Sequence, residues 1–218
     1  MTTKTESTHA GEFLVAELPN NLSRRSGVLN SGQNCVAGTV LGRLLTIGAA
    51  TFVGTVGTRG TVTVAATVGP KAQIGTYKLV CTAASSNAGT FQLRAPDGSL
   101  VAFDTATVIT VGGGAFTSDH LGITIADGAT DFSVGDTYTI AVSGGDYSIL
   151  APAGTDGTQI AAGILFAGVD ASSADTACVV VEKTAAAVSG SITWPGGITD
   201  AQKSAATAQL EARGIVLR

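Results

Sequence analysis

At 218 residues the chain is long enough to bury one large core or two small ones without disulfides or metals. Only 13% of residues are charged while glycine reaches 29, a composition that points to short strands and tight turns rather than long amphipathic helices. A net charge of −4, with Arg24-Arg25 as the basic pair, argues against general nucleic-acid binding, which needs clustered cations against phosphate.

Mean hydropathy is positive. Even so, Arg43 and frequent Gly and Thr interrupt the best membrane candidate, Cys35 to Val56, so no apolar run approaches the ~18 residues of a span. Met1-Thr2-Thr3-Lys4-Thr5-Glu6-Ser7 has no apolar core of a signal peptide, and the expectation is a soluble protein made in a cytoplasm.

In chain order, residues 1–26 read as an arm: rich in Thr, Ser and Asn, broken at Pro19-Asn20-Asn21, with one short apolar run, Phe13-Leu14-Val15-Ala16. Such a segment buries too little surface to fold alone. Residues 27–51 read as strands and turns, with Thr39-Val40-Leu41 between Gly38 and Gly42.

From 52 to 145 apolar residues alternate in short runs: Val62, Val64, Ala66, Val68; Tyr77, Leu79, Cys81; Phe91, Leu93, Ala95; Leu121, Ile123, Ile125; Tyr138, Ile140, Val142. Period two over many short segments predicts half-buried antiparallel strands, and a sandwich of about seven of them is the natural arrangement. Pro96-Asp97-Gly98 is a tight turn between two strands, Gly135-Asp136 opens the last one and Gly144-Gly145 closes it.

Within 146–218, Tyr147-Ser148-Ile149-Leu150, Cys178 to Glu182, Ala185 to Val188 and Ile192-Thr193-Trp194 read as strands. The nearly continuous apolar run Ile160 to Val169 fits a strand buried on both faces. Pro195-Gly196-Gly197 then stops the chain, and Thr199 with Gln202 forms the capping box of a helix whose alanines, Ala201, Ala205, Ala208 and Ala212, make one narrow stripe for close packing. Gly214 suits the left-handed position after the helix, and Ile215-Val216-Leu217 reads as a terminal strand.

The run Ala161-Ala162-Gly163-Ile164-Leu165-Phe166-Ala167-Gly168-Val169-Asp170, then Trp194-Pro195, then the Ala-rich helix and Gly214-Ile215-Val216, resembles the C-terminal half of the lambda-type phage head decoration proteins. Ser31-Gly32-Gln33 and Ala37 to Gly42 are similar to an N-terminal piece of the same family. The stretch from Gly75-Thr76-Tyr77 to Thr139-Ile140 is similar to small β-sandwich modules inserted in phage structural proteins.

These resemblances imply a mainly β fold: a decoration core with one C-terminal helix, residues 27–51 and 146–218, interrupted by an inserted immunoglobulin-like antiparallel β-sandwich at 52–145. They imply a non-enzymatic capsid cement protein on the outer surface of the phage head, a homotrimer whose partner is the major capsid protein and which is made in the bacterial host cytoplasm. In that reading the arm binds capsid through Phe13, Leu14, Val15, Arg24 and Arg25, while Trp194 and Pro195 pack inside or between subunits. The alternative is a virion-surface adhesin or carbohydrate-binding module, with host-surface glycans met by the sandwich.

Catalytic, metal and cofactor sites are not expected, nor nucleic acid or membrane partners. Ser118-Asp119-His120 has the residue types of a triad, but sequence neighbours point in different directions, and His120 reads as an exposed loop residue. Asp97, Asp104, Asp131 and Asp136 sit in turns, where Asp is expected for local hydrogen bonding. Gly112-Gly113-Gly114 lacks the Lys-Ser/Thr ending of a phosphate loop and reads as a hairpin connection. Cys35, Cys81 and Cys178 are far apart in apolar settings and read as buried free thiols.

Overall fold

The alternating segments become strands, and in the computed structural model, which describes residues 8–53, 60–102, 108–109 and 114–218, Asp200–Ala212 (α1) is the single α-helix among the described residues. Asp104, Gly112 and Gly113 lie outside those residues. Two compact units divide the chain. The first comprises the chain up to Leu44 with Gly145–Gly154 and Thr158–Arg218; the second comprises Leu45–Gly144 with Thr155–Gly157.

In the second unit, Gly75–Ser85 pairs antiparallel with Ala88–Arg94 on one side and with Thr137–Val142 on the other. A separate sheet joins Gly114–Phe116, Leu121–Ala126 and Thr61–Val68. The alternation predicts the buried faces: Tyr77, Leu79, Cys81, Phe91, Leu93, Leu121, Ile123, Ile125, Tyr138, Ile140 and Val142 are buried in one cluster shared by both sheets. Phe132 closes it, edge-on to Phe91 with ring centroids 4.9 Å apart. Ala66 departs from the pattern and is exposed, because the ladder slips between Leu121 and Ile123 and the extra residues of Thr61–Val68 bulge outward.

The turn at Pro96-Asp97-Gly98 forms as expected: Gly98 takes φ +86°, its N–H reaches the Ala95 carbonyl at 2.9 Å, and Asp97 accepts from the Ser99 N–H at 2.9 Å. Gly144-Gly145 does not end a strand, however. The strand Thr137–Ile149 includes both glycines, and at Tyr147 the ladder has a parallel partner, Leu29.

In the first unit, Ala161–Leu165 lies between Thr176–Val181 and the start of Val40–Ile47. Every one of its residues is buried, as the continuous apolar run predicts. A bulge between Ala161 and Gly163 lets Ala161 and Ile164 face one core cluster while Ala162 and Leu165 face another. Gly163 is required there, since a Cβ would stand 2.5 Å from the Val181 carbonyl oxygen. Thr176–Val181 continues to Arg24–Leu29, and Leu14–Glu17, Ala185–Ala187 and Ile215–Leu217 make a separate three-stranded sheet with Leu14–Glu17 at its edge. Ile192-Thr193-Trp194 is not a strand: a short helical turn at Ser189–Ser191 precedes it and leaves one isolated bridge, Thr39 to Thr193.

Helix α1 starts on the expected capping box, with the Thr199 hydroxyl accepting from Gln202 N–H at 3.3 Å and Gln202 Oε1 accepting from Thr199 N–H at 2.9 Å. Gly214 follows it at φ +79°. The face it buries is not the alanine stripe. Ala206 and Leu210, one turn apart, are buried, and Gln209 accepts from the Ala161 N–H at 2.7 Å; Ala201, Ala205, Ala208 and Ala212 are exposed. Leu210 offers more apolar area than any alanine, so it decides which face turns inward. Thr199→Ala removes the cap and is expected to cost about 1 kcal/mol. Trp194, the only tryptophan, lies in this unit and packs against the core next to α1, so its fluorescence in urea titrations reads that loss.

Candidate functional site

From residue 8 onward the expected arm belongs to the first unit. Phe13 is 1% exposed and sits in the core with Val40, Ile164 and Leu210, while Leu14 is half-buried against the same cluster. Gly11 N–H donates to the Phe166 carbonyl at 2.8 Å, and Gly11, at φ +72°, lies so close to the Phe166 ring that a Cβ would meet it at 2.6 Å. Arg24 stacks its guanidinium 3.7 Å above the centre of that ring and donates to Glu17 Oε2 at 2.9 Å. Ser23, fully buried, accepts from Leu18 N–H at 3.0 Å and donates to the Thr184 carbonyl at 2.7 Å. Phe13 and Arg24 therefore hold the segment to its own fold, a role their sequence context hid because Leu210, in the cluster around Phe13, and Phe166, under Arg24, lie far along the chain.

Val15 differs. The register slips between Leu14 and Ala16, so Val15 is the bulged residue of an edge strand and stands 56% exposed. Leu22, which the sequence reading passed over, is 58% exposed in the turn that follows. Ala16, which follows Val15 in the strand, joins Leu18, Ala186 and Val216 in lining a mainly apolar groove of about 290 Å³ over the three-stranded sheet.

Arg25 belongs to a charged network centred on Glu182. Its guanidinium lies 3.7 Å from Glu182, and Arg43, which also donates to the Gly145 carbonyl at 2.9 Å, lies 3.8 Å from the same carboxylate. The buried Tyr147 hydroxyl donates to Glu182, and burial first, then this acid, pushes the phenol well above its usual range. Gly27 makes room for the Tyr147 ring, because a Cβ there would lie 2.3 Å from it.

Trp194 is half-buried, packed on the core with Ile198 and Leu217, and it borders a groove of about 470 Å³ that runs along α1 past Lys203, Thr207 and Ala208. Pro195 is half-buried in the turn before the helix.

The residue types that suggested chemistry go to separate partners. Ser118 Oγ donates to the Leu121 carbonyl at 2.8 Å, Asp119 accepts from Lys71 Nζ at 2.7 Å, and His120 Nδ1 lies 3.0 Å from the Tyr77 hydroxyl. His120 is thus a partly buried, bonded residue rather than an exposed one. Asp136 accepts from the Ser133 N–H at 2.7 Å, the local turn role expected of it, whereas Asp131 accepts from the distant Asn87 N–H at 2.9 Å rather than from its own turn. Cys35, Cys81 and Cys178 are buried free thiols, and burial pushes Cys178 up to about 11, aided by Cys35 and Asp146. Among the described residues no helix is long and apolar enough to cross a membrane, and no cluster of three or more His, Cys, Asp or Glu is placed to hold a metal ion.

No curated protein and no solved structure matches the chain significantly. The family model described as bacteriophage lambda head decoration protein D matches residues 3–215, nearly the whole length, and the chain belongs to that family of phage head decoration proteins.

Proposed function

We propose that this protein is a non-enzymatic cement subunit that binds the expanded phage head as a homotrimer, on its outer surface, and stabilises the shell. The observation that carries the reading is the family match over residues 3–215. The major capsid protein is the partner, and residues 52–145 are an inserted β-sandwich module that serves as a spacer.

The edge strand Leu14–Glu17 supports a specific way of binding. Adding a capsid strand to it gains hydrogen bonds worth about 0.5–1.5 kcal/mol each, and covering Val15 and Leu22 adds about 1.5–3 kcal/mol for each side chain fully buried. Because Phe13 already anchors this strand, the ordering cost of about 1–2 kcal/mol per residue falls on the partner's strand alone. Three such edges on one trimer act in a single association event, so weak contacts accumulate. For contact between subunits, the exposed alanines of α1 and the groove beside Trp194 and Pro195 offer a surface of small side chains that permits close approach.

The double variant Val15→Asp, Leu22→Asp is expected to keep its fold and its trimeric mass by light scattering while losing at least about tenfold in affinity for heads, since each charge opposes desolvation at the contact. Undiminished head binding by the folded variant would rule out this edge as the contact. Arg25 is 54% exposed and available to the same partner, whereas Arg24 is occupied by Glu17 and Phe166.

A further inference from the structure

Within the second unit, three connections converge on one buried hydroxyl. Residues 69–73, which lead into Gly75–Ser85, touch the connection 117–120 through paired backbone bonds: Gly69 N–H to the His120 carbonyl at 2.8 Å and Lys71 N–H to the Asp119 carbonyl at 2.7 Å. The side chains repeat the link, with Lys71 on Asp119 at 2.7 Å. From the turn at 96–99, Asp97 accepts from Gln73 Nε2 at 2.8 Å. At the centre, the Tyr77 hydroxyl, on a fully buried residue, accepts from Gln73 N–H at 2.7 Å and lies 3.0 Å from His120 Nδ1.

The arrangement that satisfies every group has the Tyr77 oxygen accepting from Gln73 N–H while the phenol proton goes to His120 Nδ1, with the imidazole neutral and its own proton on Nε2. A second proton on the ring would turn the phenol O–H away from Nδ1 and take its acceptor from it, on a tyrosine that water does not reach.

We infer that the Tyr77–His120 hydrogen bond is a proton-operated latch, closed while the imidazole is neutral and opened when it is protonated, which releases residues 69–73 from residues 117–120. The charges that face the ring are Lys71, from the connection after Thr61–Val68, Asp97, from the turn after Ala88–Arg94, and Asp119, its own neighbour. Desolvation is the largest influence and lowers the histidine's affinity for protons; Asp119 and Asp97 oppose it and Lys71 adds to it. The net effect is a value below the ordinary one, so the ring stays neutral in the fold at pH 7. The sign follows: the stability this group confers is full above the unfolded value of about 6.5 and is lost as pH falls through the lower folded value. Asp97, held down to about 2 by Ser99 and Gln73, keeps its charge throughout that window, and Asp119 is also lowered, chiefly by its hydrogen bond from Lys71.

The test uses the intact protein and needs no capsid, so its outcome is separate from that of the cement reading. Histidine NMR gives the titration of His120, and amide hydrogen-exchange protection factors at Gly69, Lys71 and Gln73 are followed from about pH 7 to about pH 4.5. Protection is expected to fall about tenfold per unit from about pH 6.5 down to the folded value and to level off below it. His120→Gln keeps an oxygen acceptor for Tyr77 but cannot titrate, and its protection is expected to stay level across the range. His120 titrating at or above 6.5, protection unchanged while the ring is protonated, or a fall that persists in His120→Gln would each overturn the latch.

Discussion

Phe13→Ala is expected to destabilise the first unit by about 3–5 kcal/mol, the cost of emptying a fully packed aromatic site. The ring is 1% exposed among Val40, Ile164, Ala187 and Leu210, so its removal leaves a cavity under the strand Leu14–Glu17 rather than a trimmed surface. Urea titrations followed by Trp194 fluorescence check this, because Trp194 packs on the same cluster. Val15→Ala, two residues along but 56% exposed, is expected to change stability by less than about 0.5 kcal/mol. A loss below about 1 kcal/mol for Phe13→Ala would mean that the N-terminal segment is not docked as described. Removing residues 1–25 would take away Phe13, the edge strand, buried Ser23 and the first two residues of Arg24–Leu29, so such a truncation tests folding before it tests capsid binding.

Glu182→Ala is expected to cost about 3 kcal/mol in the same assay, at the lower end of the range for breaking a buried ion pair from one side. The carboxylate lies between Arg25 and Arg43 and accepts the Tyr147 proton; its side chain and that of Arg43 are each 15% exposed. Without it, Arg25 and Arg43 lose their shared anion and the Tyr147 hydroxyl loses its acceptor. Tyr147→Phe, which removes one hydroxyl and keeps the charges balanced, is expected to lose only about 1–2 kcal/mol. Equal losses for the two variants would contradict the view that the acid holds this network together.

The helix with its capping box, and the strands of alternating apolar residues, were legible because their signals are local: Thr199 and Gln202 are three residues apart, and Tyr77, Leu79 and Cys81 repeat every second position. What the sequence hid depends on distant partners. Nothing near Phe13 announces Leu210, nothing near Arg24 announces Phe166, and nothing in Ser118-Asp119-His120 announces Tyr77. The alanine stripe misled because period alone does not say which face of a helix is buried; Leu210 and the bond from Ala161 to Gln209 decide it. The exposure of Val15 was half legible: Val15 lay in an evident apolar run, but its exposure follows from a bulge opposite Ala186 and Ala187.

Co-sedimentation of the purified protein with expanded phage heads that lack their decoration, with the Val15→Asp, Leu22→Asp variant alongside, tests the cement role most directly. The intact protein is expected to bind saturably, with three copies at each threefold point of the shell as the family resemblance implies, and to raise the temperature at which the heads break. A folded protein that leaves such heads bare at saturating concentration would contradict the cement role and turn attention to host-surface glycans as ligands of the inserted module.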